Sequence, residues 1–369
     1  MAMPTAEPTA DVAPASEPLP SHPPAAPGAS TAPASAALTS PLATAPAAPP
    51  AEQPPALVSA PPSDHPPLVR LAALSVDKVP GHAALGTAES GGSGEEARVF
   101  AARVLVEGVK FAEGVQGGEF KARGWKSGVE ILVRKIVHGR IAEDWVARRS
   151  LHVQGRENER AADFAEFEVG LLRDHSLHEA EYTPNVFDAG RVCDWDVELQ
   201  GKAVTSLDSA LNRGGQIGEN AALGGFDDVT MRVYEMAHHI PFPLHNRVFA
   251  TLIIAGKLSP AAFIVVQIPI DLSHSPAARY SSGKHRTDGE SPRQKKRVVI
   301  GQYASVEKVE VAEDKRVRWI MATASDAKGW LPKWVQKRAV PGAIAKDVPW
   351  FLTWNHKQRK VQYGHEYGS

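Results

Sequence analysis

The sequence has very little cysteine and no long apolar run. Cys193 is the single cysteine among 369 residues, which excludes an internal disulfide and a metal site built from several cysteines. No apolar stretch approaches the roughly 18 residues that cross a bilayer, and the first residues lack the basic and apolar parts of a signal peptide. We therefore expect an intracellular, cytoplasmic protein that meets membranes only at their periphery.

Lysine and arginine are absent from the first 67 residues, which also argues against a transit peptide. That segment holds 19 of the 30 prolines, mixed with Ala, Ser and Thr. Such a composition buries too little apolar surface to offset the entropy of ordering, so residues 1–67 are predicted to be disordered. The rest of the chain has all 41 basic residues and 37 of the 42 acids, a formal charge of +4 that gives no strong nucleic-acid signal.

Catalytic and metal-binding motifs are missing as well. The chain contains no G-x-S-x-G, P-loop or H-E-x-x-H motif, and the glycine-rich run at Gly214–Gly218 is better interpreted as a loop. His238, His239 and His245 lie close in sequence, but neighbouring residues of a strand point to opposite faces and do not readily share an ion. Cys193 has no reactive context. We therefore predict no metal, no cofactor and no catalytic residue.

The last quarter of the chain carries the clearest pattern. Val298–Val311 and Arg316–Ala324 alternate apolar and polar residues with period two, which predicts two strands joined by a turn. A stretch with apolar residues at helical spacing follows, and it must bury that stripe on the nearest surface, which is the sheet. Pro341 interrupts the stretch and predicts a break near Val340, because an interior proline removes a backbone hydrogen bond.

This segment resembles a known family. The run Asp326-Ala-Lys-Gly-Trp-Leu-Pro-Lys-Trp334, after a strand that contains a tryptophan and before a final helix, is similar to the end of START domains, the lipid-transfer domains related to steroidogenic acute regulatory protein. Further matches point to a START-like branch of unknown function found mainly in fungi: Trp145–His152, His178–Pro184, His238–Phe249 and Tyr303–Glu307. The resemblance covers roughly residues 95–355 and implies a helix-grip fold, in which a curved antiparallel sheet grips a long C-terminal helix around an apolar cavity. It implies no particular ligand.

The remaining pattern agrees with an α+β fold of this kind. We predict a short helix and flexible linker at 68–94, one START-like domain at 95–357 and a C-terminal tail at 358–369. Within the domain the pattern predicts helices at Glu95–Glu113 and Asp163–Arg173, and strands at Val129–Val137, Asp144–Val153, Val229–His238, Arg247–Ala255 and Ala262–Ile270, with a further strand in Asp188–Leu207.

The candidate ligand site is the predicted cavity wall. Gln267 needs a partner inside apolar surroundings, either a backbone group or a ligand hydroxyl. Arg247 lies where the resemblance places an arginine, and it either meets the ligand or pairs with Glu307 or Asp326. Apolar and aromatic residues at these spacings line either a cavity or an ordinary core. The full candidate set is Tyr234, Arg247, Phe249, Gln267, Tyr303, Glu307, Trp319, Met321, Trp334 and Phe351.

One basic segment has no place in that site. Lys284–Arg297 carries six basic residues and two acids without an aromatic residue. It is interpreted as a contact for anionic membrane headgroups, a nuclear localisation signal or a solvated loop. The absence of aromatic residues argues against stacking on bases, so no nucleic-acid partner is expected.

Together these patterns predict that the chain binds, and transfers, a lipid, a sterol or another apolar small molecule, without catalysis. A sterol-sized ligand that buries ~350 Å² of apolar surface gains roughly 9 kcal/mol at ~25 cal/mol per Å², enough for sub-micromolar binding. Two alternatives remain open. One is a helix-grip enzyme with cyclase- or hydrolase-like chemistry, whose acid and base would come from His239, Glu307 and Asp326. The other is an interaction module whose interior is filled by its own side chains.

Overall fold

The structure, a computed structural model, describes residues 66–87, 94–199, 225–240, 242, 244–283, 298–329 and 333–366. Residues 94–95, 333–337 and 362–366 are described by their backbone alone. All of these residues belong to one compact unit that spans Ser63–Ser369. The predicted disorder of 1–67, the Gly214–Gly218 run and the basic segment Lys284–Arg297 therefore lie wholly or almost wholly outside the described residues.

The described strands form one ten-stranded sheet in the order β2-β3-β4-β10-β9-β8-β7-β6-β5, with β1 beside β8. Strands predicted from period-two alternation are present with bounds shifted by three residues or fewer, apart from β7, which runs four residues further at its end. The strands are β1 (Leu74–Ser75), β2 (Lys121–Lys126), β3 (Val129–His138), β4 (Ile141–His152), β5 (Val186–Asp194), β6 (Asp227–His238), β7 (Asn246–Ser259), β8 (Ala262–Asp271), β9 (Val298–Val311) and β10 (Val317–Asp326).

Neighbouring strands pair antiparallel except at two places. β1 runs parallel to β8, and the first residues of β9 run parallel to β7. Register shifts in the β2–β3, β5–β6 and β7–β8 pairs mark bulges, which bend and twist strands and so favour a curved sheet. The ladder between β4 and β10 ends at Val146 and Thr323, after which β4 stays with β3 and β10 stays with β9. The sheet therefore splits at this point.

One face of the sheet is covered by helix α1, Gly94–Gln116. Its buried positions, such as Ala101, Leu105 and Ala112, recur at the spacing of a single helix face and pack on β8, β9 and β10. Gly108 allows the closest approach, because a Cβ there would lie 2.4 Å from a Val266 methyl group. This outer face is an ordinary apolar core.

The opposite, inner face is covered by helices that follow β4 in sequence. The elements are α2 (Phe164–Phe167), a π-helical turn (Glu168–Leu172), α3 (His175–Tyr182) and α5 (Lys333–Glu366). A short helix between them in sequence, α4 (Asp196–Leu199), packs instead beside α1 on the outer face. α5 lies against β3 and β4 and contacts α3, with Ile344, Val348 and Phe351 buried beneath it. A curved antiparallel sheet that holds a long C-terminal helix is the helix-grip arrangement, so the predicted α+β fold class is confirmed.

The predicted break in the last helix is wrong. α5 continues without interruption from Lys333 to Glu366 through Pro341 and Pro349. Each proline removes one intrahelical hydrogen bond, but its fixed φ is itself helical, and packing on the sheet supports the helix across both positions. The helix also runs nine residues past the predicted domain end at 357, so 358–366 is not a tail.

Three other local predictions are corrected. Residues 68–79 form no α-helix: β1 and a 3-10 turn at Val76–Lys78 pack on the domain instead. The strand expected from alternating Trp195, Val197 and Leu199 ends at Asp194, and α4 follows it. β2 and α3 were not predicted, because β2 is fully exposed and so shows no apolar alternation. Of the helices that the structure describes, none combines the length and apolar composition that crossing a bilayer takes.

Candidate functional site

Glu307 lies at the centre of a buried polar cluster on the inner face. It stands on β9 opposite Met321 of β10, and only 4% of its surface is accessible. One carboxylate oxygen accepts a hydrogen bond from the Trp319 indole at 2.9 Å and lies 3.8 Å from the Arg148 guanidinium. The other oxygen lies 3.8 Å from the His175 imidazole. Neighbouring strands and α3 thus bring three polar groups to one carboxylate.

Arg148 brings a positive charge into the same interior. It is 1% exposed, and its guanidinium stacks over the Trp319 ring at 3.7 Å from the ring centroid. Among the described residues, its Nε and Nη1 have no hydrogen-bond partner. Because an unsatisfied buried donor is costly, these two N–H groups are sites at which a ligand oxygen or a water molecule would be stabilised.

His175 and Gln267 extend the cluster. The His175 Nδ1 lies 2.9 Å from the carbonyl oxygen of Leu171, which can only accept, so Nδ1 carries the proton in this contact. Nε2 is then the acceptor for the Gln267 amide, at 3.0 Å. The partner of Gln267 was expected to be a backbone group or a ligand hydroxyl; it is an imidazole instead.

Two further carboxyl groups face this cluster from helices. Burial, with repulsion from Glu307 and Asp347, raises the pKa of Glu179 to about 8. Burial raises the pKa of Asp347 to about 6, with Glu307 adding to the shift and Arg148 opposing it. Burial also raises the pKa of Tyr182 well above its usual value. At neutral pH the cluster therefore holds a mostly protonated Glu179.

Several of these groups border an internal space. Glu179, Tyr182, Tyr303 and Asp347 lie deep in the fold, yet each keeps accessible side-chain surface, which amounts to 23% for Glu179. From accessible side-chain surface at this depth we infer a space inside the fold. We call this space the inner chamber; it lies between α3, α5 and strand β9.

Part of the interior expected to be open is instead filled. Trp319 packs against Phe167 and Phe351, with ring centroids 5.6 and 5.1 Å apart, and all three side chains are at most 1% exposed. Such a well-packed aromatic cluster is core rather than empty wall. Tyr234 and Met321 are buried in the same apolar cluster. Their predicted contact with a ligand stays a prediction.

A groove of about 750 Å³ lies where the sheet splits between β4 and β10. Inner-face side chains Ile131 and Val133 line it, Thr323 marks the end of the ladder, and Val340 and Pro341 of α5 close one side. The groove therefore runs along the edge of the inner face beneath the first part of α5. Its position makes it a route between solvent and the interior.

Two of the predicted site residues lie near the start of β7 and have structural roles. Arg247 donates hydrogen bonds to the carbonyl oxygens of Ala327, at 2.7 Å, and of His245, which fixes the chain as it leaves β10. The expected ion pair with Glu307 is wrong, because Arg247 pairs in register with Val299, eight residues from Glu307 along β9, and Arg148 is the basic neighbour of Glu307. Phe249 packs over Gly301 and beside Tyr303, at a centroid distance of 6.0 Å.

The residues named for an enzyme are not brought together. Asp326 pairs in register with Gln302, which places it five residues, or about 16 Å, from Glu307 along the strand. His239 is exposed and lies 3.2 Å from the Asn246 side chain. In the described part of the chain, no group of three or more His, Cys, Asp or Glu residues could hold a metal ion. Trp334 belongs to α5, but its side chain lies outside the described set.

Sequence reasoning missed Arg148, His175, Glu179 and Asp347. Arg148 had a usable signal: in the alternating strand around Trp145 and Val146, it occupies an inward position where apolar residues are expected. The other three lie on helices, where their inward direction depends on how α3 and α5 sit on the sheet. No sequence pattern fixed that placement.

Comparisons with known proteins give a family and a set of similar structures. A family model described as a protein of unknown function (DUF3074) matches residues 145–355. No curated protein matches the chain. Human STARD10 is similar with 15% identity and a TM-score of 0.44, over 71% of this chain and 82% of that chain. Human StAR-related lipid transfer protein 5 has 12% identity and a TM-score of 0.42, over 71% and 98%. The STAR-related lipid transfer protein from Xanthomonas axonopodis has 13% identity and a TM-score of 0.38, over 63% and 98%. The predicted membership in a family of unknown function is confirmed, and START-related proteins are among the structures to which the chain is similar.

Proposed function

The chain belongs to DUF3074, a family of proteins of unknown function, and we propose that it binds an apolar small molecule such as a lipid or sterol, and carries it between membranes. The molecule would enter along the groove between β4 and β10 and place its polar end in the inner chamber. The single observation that carries this proposal is the set of deep but accessible groups around Glu307, among them Glu179, Tyr303 and Asp347.

The chemistry of the chamber selects the polar end of the ligand. Arg148 offers two unpartnered N–H donors, whereas Glu307 and Asp347 offer acceptors. A hydroxyl or carbonyl group satisfies such a mixed set, because a hydroxyl both accepts and donates. A phosphate group fits poorly, because the carboxylates of Glu307 and Asp347 would repel it and a single guanidinium would have to offset its charge.

Apolar contact supplies the affinity. Ile131, Val133 and Val340 line the groove, and Met321 lies below it on the inner face. Charged residues such as Lys121, Arg123 and Glu143 share the lining, so the groove suits a molecule with both an apolar body and polar groups. The expected cavity residues of the sequence analysis remain proposals for ligand contact, with Tyr303 and Glu307 at the polar end.

The test is loading of the purified full chain. We expect lipid extracted from the protein to be identified by mass spectrometry, and a fluorescent sterol or a labelled phosphatidylcholine to bind when offered. Val133→Trp, at a half-buried groove position, should weaken binding at least tenfold, since the indole occupies the groove. Val137→Trp lies on the same strand at a position that is 62% exposed and is the matched control.

Two outcomes would overturn the proposal. One is that several lipid classes are offered and none co-purifies or binds. The other is that Val133→Trp folds and loads as well as Val137→Trp, which would place the ligand elsewhere. Transfer is measured separately, with labelled lipid in donor vesicles and unlabelled acceptor vesicles.

A helix-grip enzyme is the second candidate, and one observation favours it. Glu179 and Asp347, with pKa values of about 8 and about 6, lie in one enclosed site, and perturbed carboxyl groups are typical of acid–base catalysis. The two functions are distinguished by the state of the bound molecule. A carrier returns its ligand unchanged after incubation, whereas an enzyme returns a product that Glu179→Gln abolishes.

A further inference from the structure

Strand β2 presents an unusual edge to solvent. It is the end strand of the sheet, and all six of its residues are exposed. Trp125 is 73% exposed, the largest aromatic surface on this edge. Lys121, Arg123 and Lys126 lie on the same strand, with Lys121 and Lys126 in register with inner-face residues and Trp125 on the other face of the edge. None of the three cations has a carboxylate partner among the ion pairs of the described residues. An exposed tryptophan among unpaired cations is not explained by packing.

The basic surface continues onto α5. The Lys126 ammonium lies next to Gly342, since a Cβ on that glycine would stand 2.8 Å from Nζ. Arg338 and Lys346 are exposed one helical turn before and after Gly342, and therefore on the same side of the helix. We call Lys121, Arg123, Trp125, Lys126, Arg338 and Lys346 the basic edge.

The basic edge borders the groove. Lys121 and Arg123 line it from one side, and Val340 and Pro341 of α5 line it from the other. A surface that binds through this edge would therefore lie over the opening where β4 separates from β10.

We infer that the basic edge docks the protein on an anionic lipid bilayer, with Trp125 at the interface and the groove facing the membrane. Lys and Arg place their charges at headgroups while their stems lie along apolar surface, and tryptophan is favoured at the membrane–water boundary. Each cation near an anionic surface contributes measurably to binding. Nucleic acid is a poorer match, because single strands bind on a series of stacking aromatics and this edge presents one.

This inference goes beyond the proposed function, and either can fail alone. Vesicle binding is measured on the full chain whatever the chamber holds, and ligand loading is measured without vesicles. The edge also differs from the segment Lys284–Arg297, for which membrane contact remains a separate prediction from sequence.

The experiment is co-sedimentation with phosphatidylcholine vesicles, with and without 30 mol% phosphatidylserine (about a third of the lipid, to give a strongly negative surface). We expect binding to require phosphatidylserine and to weaken with added salt. Lys121→Gln with Arg123→Gln and Lys126→Gln should weaken it about 100-fold, from three lost cations. Trp125→Ala should weaken binding at both low and moderate salt, since its contribution is not a charge.

The matched control removes three cations elsewhere. Arg160→Gln with Lys357→Gln and Lys360→Gln changes the net charge equally at exposed positions. Lys360 lies 18 residues from Gly342 along α5, about 27 Å away. Binding within twofold of the original protein is expected for this control.

Several results would overturn the inference. If the control triple variant lost as much vesicle binding, the effect would come from net charge and not from the basic edge. Unchanged binding in the edge triple variant, with circular dichroism showing a folded protein, would place the membrane contact elsewhere. Binding to a 20-nucleotide single strand that competes with vesicles and depends on Trp125 would assign the edge to nucleic acid instead.

Discussion

Replacing Glu179 with Gln should make the protein more stable at alkaline pH and leave it unchanged in acid. The pKa of Glu179 is raised from 4.5 to about 8 by burial and by its acidic neighbours. Between those two values the folded protein holds a proton that the unfolded chain releases. The free energy of unfolding therefore falls as pH rises through this window, and the contribution present below pH 4.5 is lost by pH 8.

The magnitude follows from the window. From pH 4.5 to 7 the mismatch spans about 2.5 pH units, worth about 3 kcal/mol at ~1.4 kcal/mol per unit. The Glu179 side chain keeps 23% of its surface accessible, and relaxation of the site reduces the effect further. We expect a gain of about 1–2 kcal/mol for Glu179→Gln at pH 7–8. Asp347, whose pKa is about 6, is unchanged in the variant, and its own effect on the free energy of unfolding falls at more acidic pH.

The assay is urea denaturation followed by tryptophan fluorescence at pH 5, 6.5 and 8. The two proteins should nearly agree at pH 5 and diverge as pH rises, because only in the original protein does unfolding release a proton from residue 179. Glu159→Gln, at an exposed position, is the control and should follow the original protein at every pH. Parallel curves for Glu179→Gln and the original protein would refute the buried acidic cluster.

Two further predictions concern the supports of the site. Arg359→Gln should lower the free energy of unfolding by about 3–5 kcal/mol in urea denaturation, because Arg359 donates hydrogen bonds to Glu166 at 2.5 and 2.8 Å and to three carbonyl oxygens. The control Lys360→Gln, at an exposed position, should change the free energy of unfolding by less than about 0.5 kcal/mol. Gly301→Ala should lower the free energy of unfolding by about 1–3 kcal/mol, because its methyl group would lie 2.4 Å from the Phe249 ring. The control Gly190→Ala, whose methyl group would have 3.9 Å to its nearest neighbour, should be tolerated. Equal losses of stability in the two variants would contradict the close packing of β7 on β9.

The fold could be predicted where one face of a strand is buried and the other is not. For β9 a partial alternation was enough: its predicted bounds, Val298–Val311, are those of the structure, although Ala304–Glu307 are all buried. β2 could not be found this way, since an exposed edge strand has no apolar face. The helix break at Pro341 was mispredicted because local propensity was weighed without the sheet beneath the helix.

The site could be predicted only in part. Glu307, Trp319 and Gln267 were named as candidates for one cavity, and the strand register does put them on one face of the sheet. Their partners were not, because Arg148 and His175 reach Glu307 from β4 and α3, far away in sequence. Strand order and helix placement decide which side chains come into contact, and a local sequence pattern predicts neither of them.

The anchoring of α5 decides which of its ends can admit a ligand. Its C-terminal part is held by Arg359 and by the Trp354 indole, which donates to Glu181 at 2.8 Å. Its N-terminal part borders the groove through Val340 and Pro341. Pro341 and Pro349, which precede the anchored end, each remove one backbone hydrogen bond from the helix. Bending at the prolines costs less than releasing the buried arginine, so opening beside the basic edge is the less costly movement. The groove, Pro341 and the basic edge therefore lie at the same end of the helix, which is the end where the proposed function expects a ligand to enter.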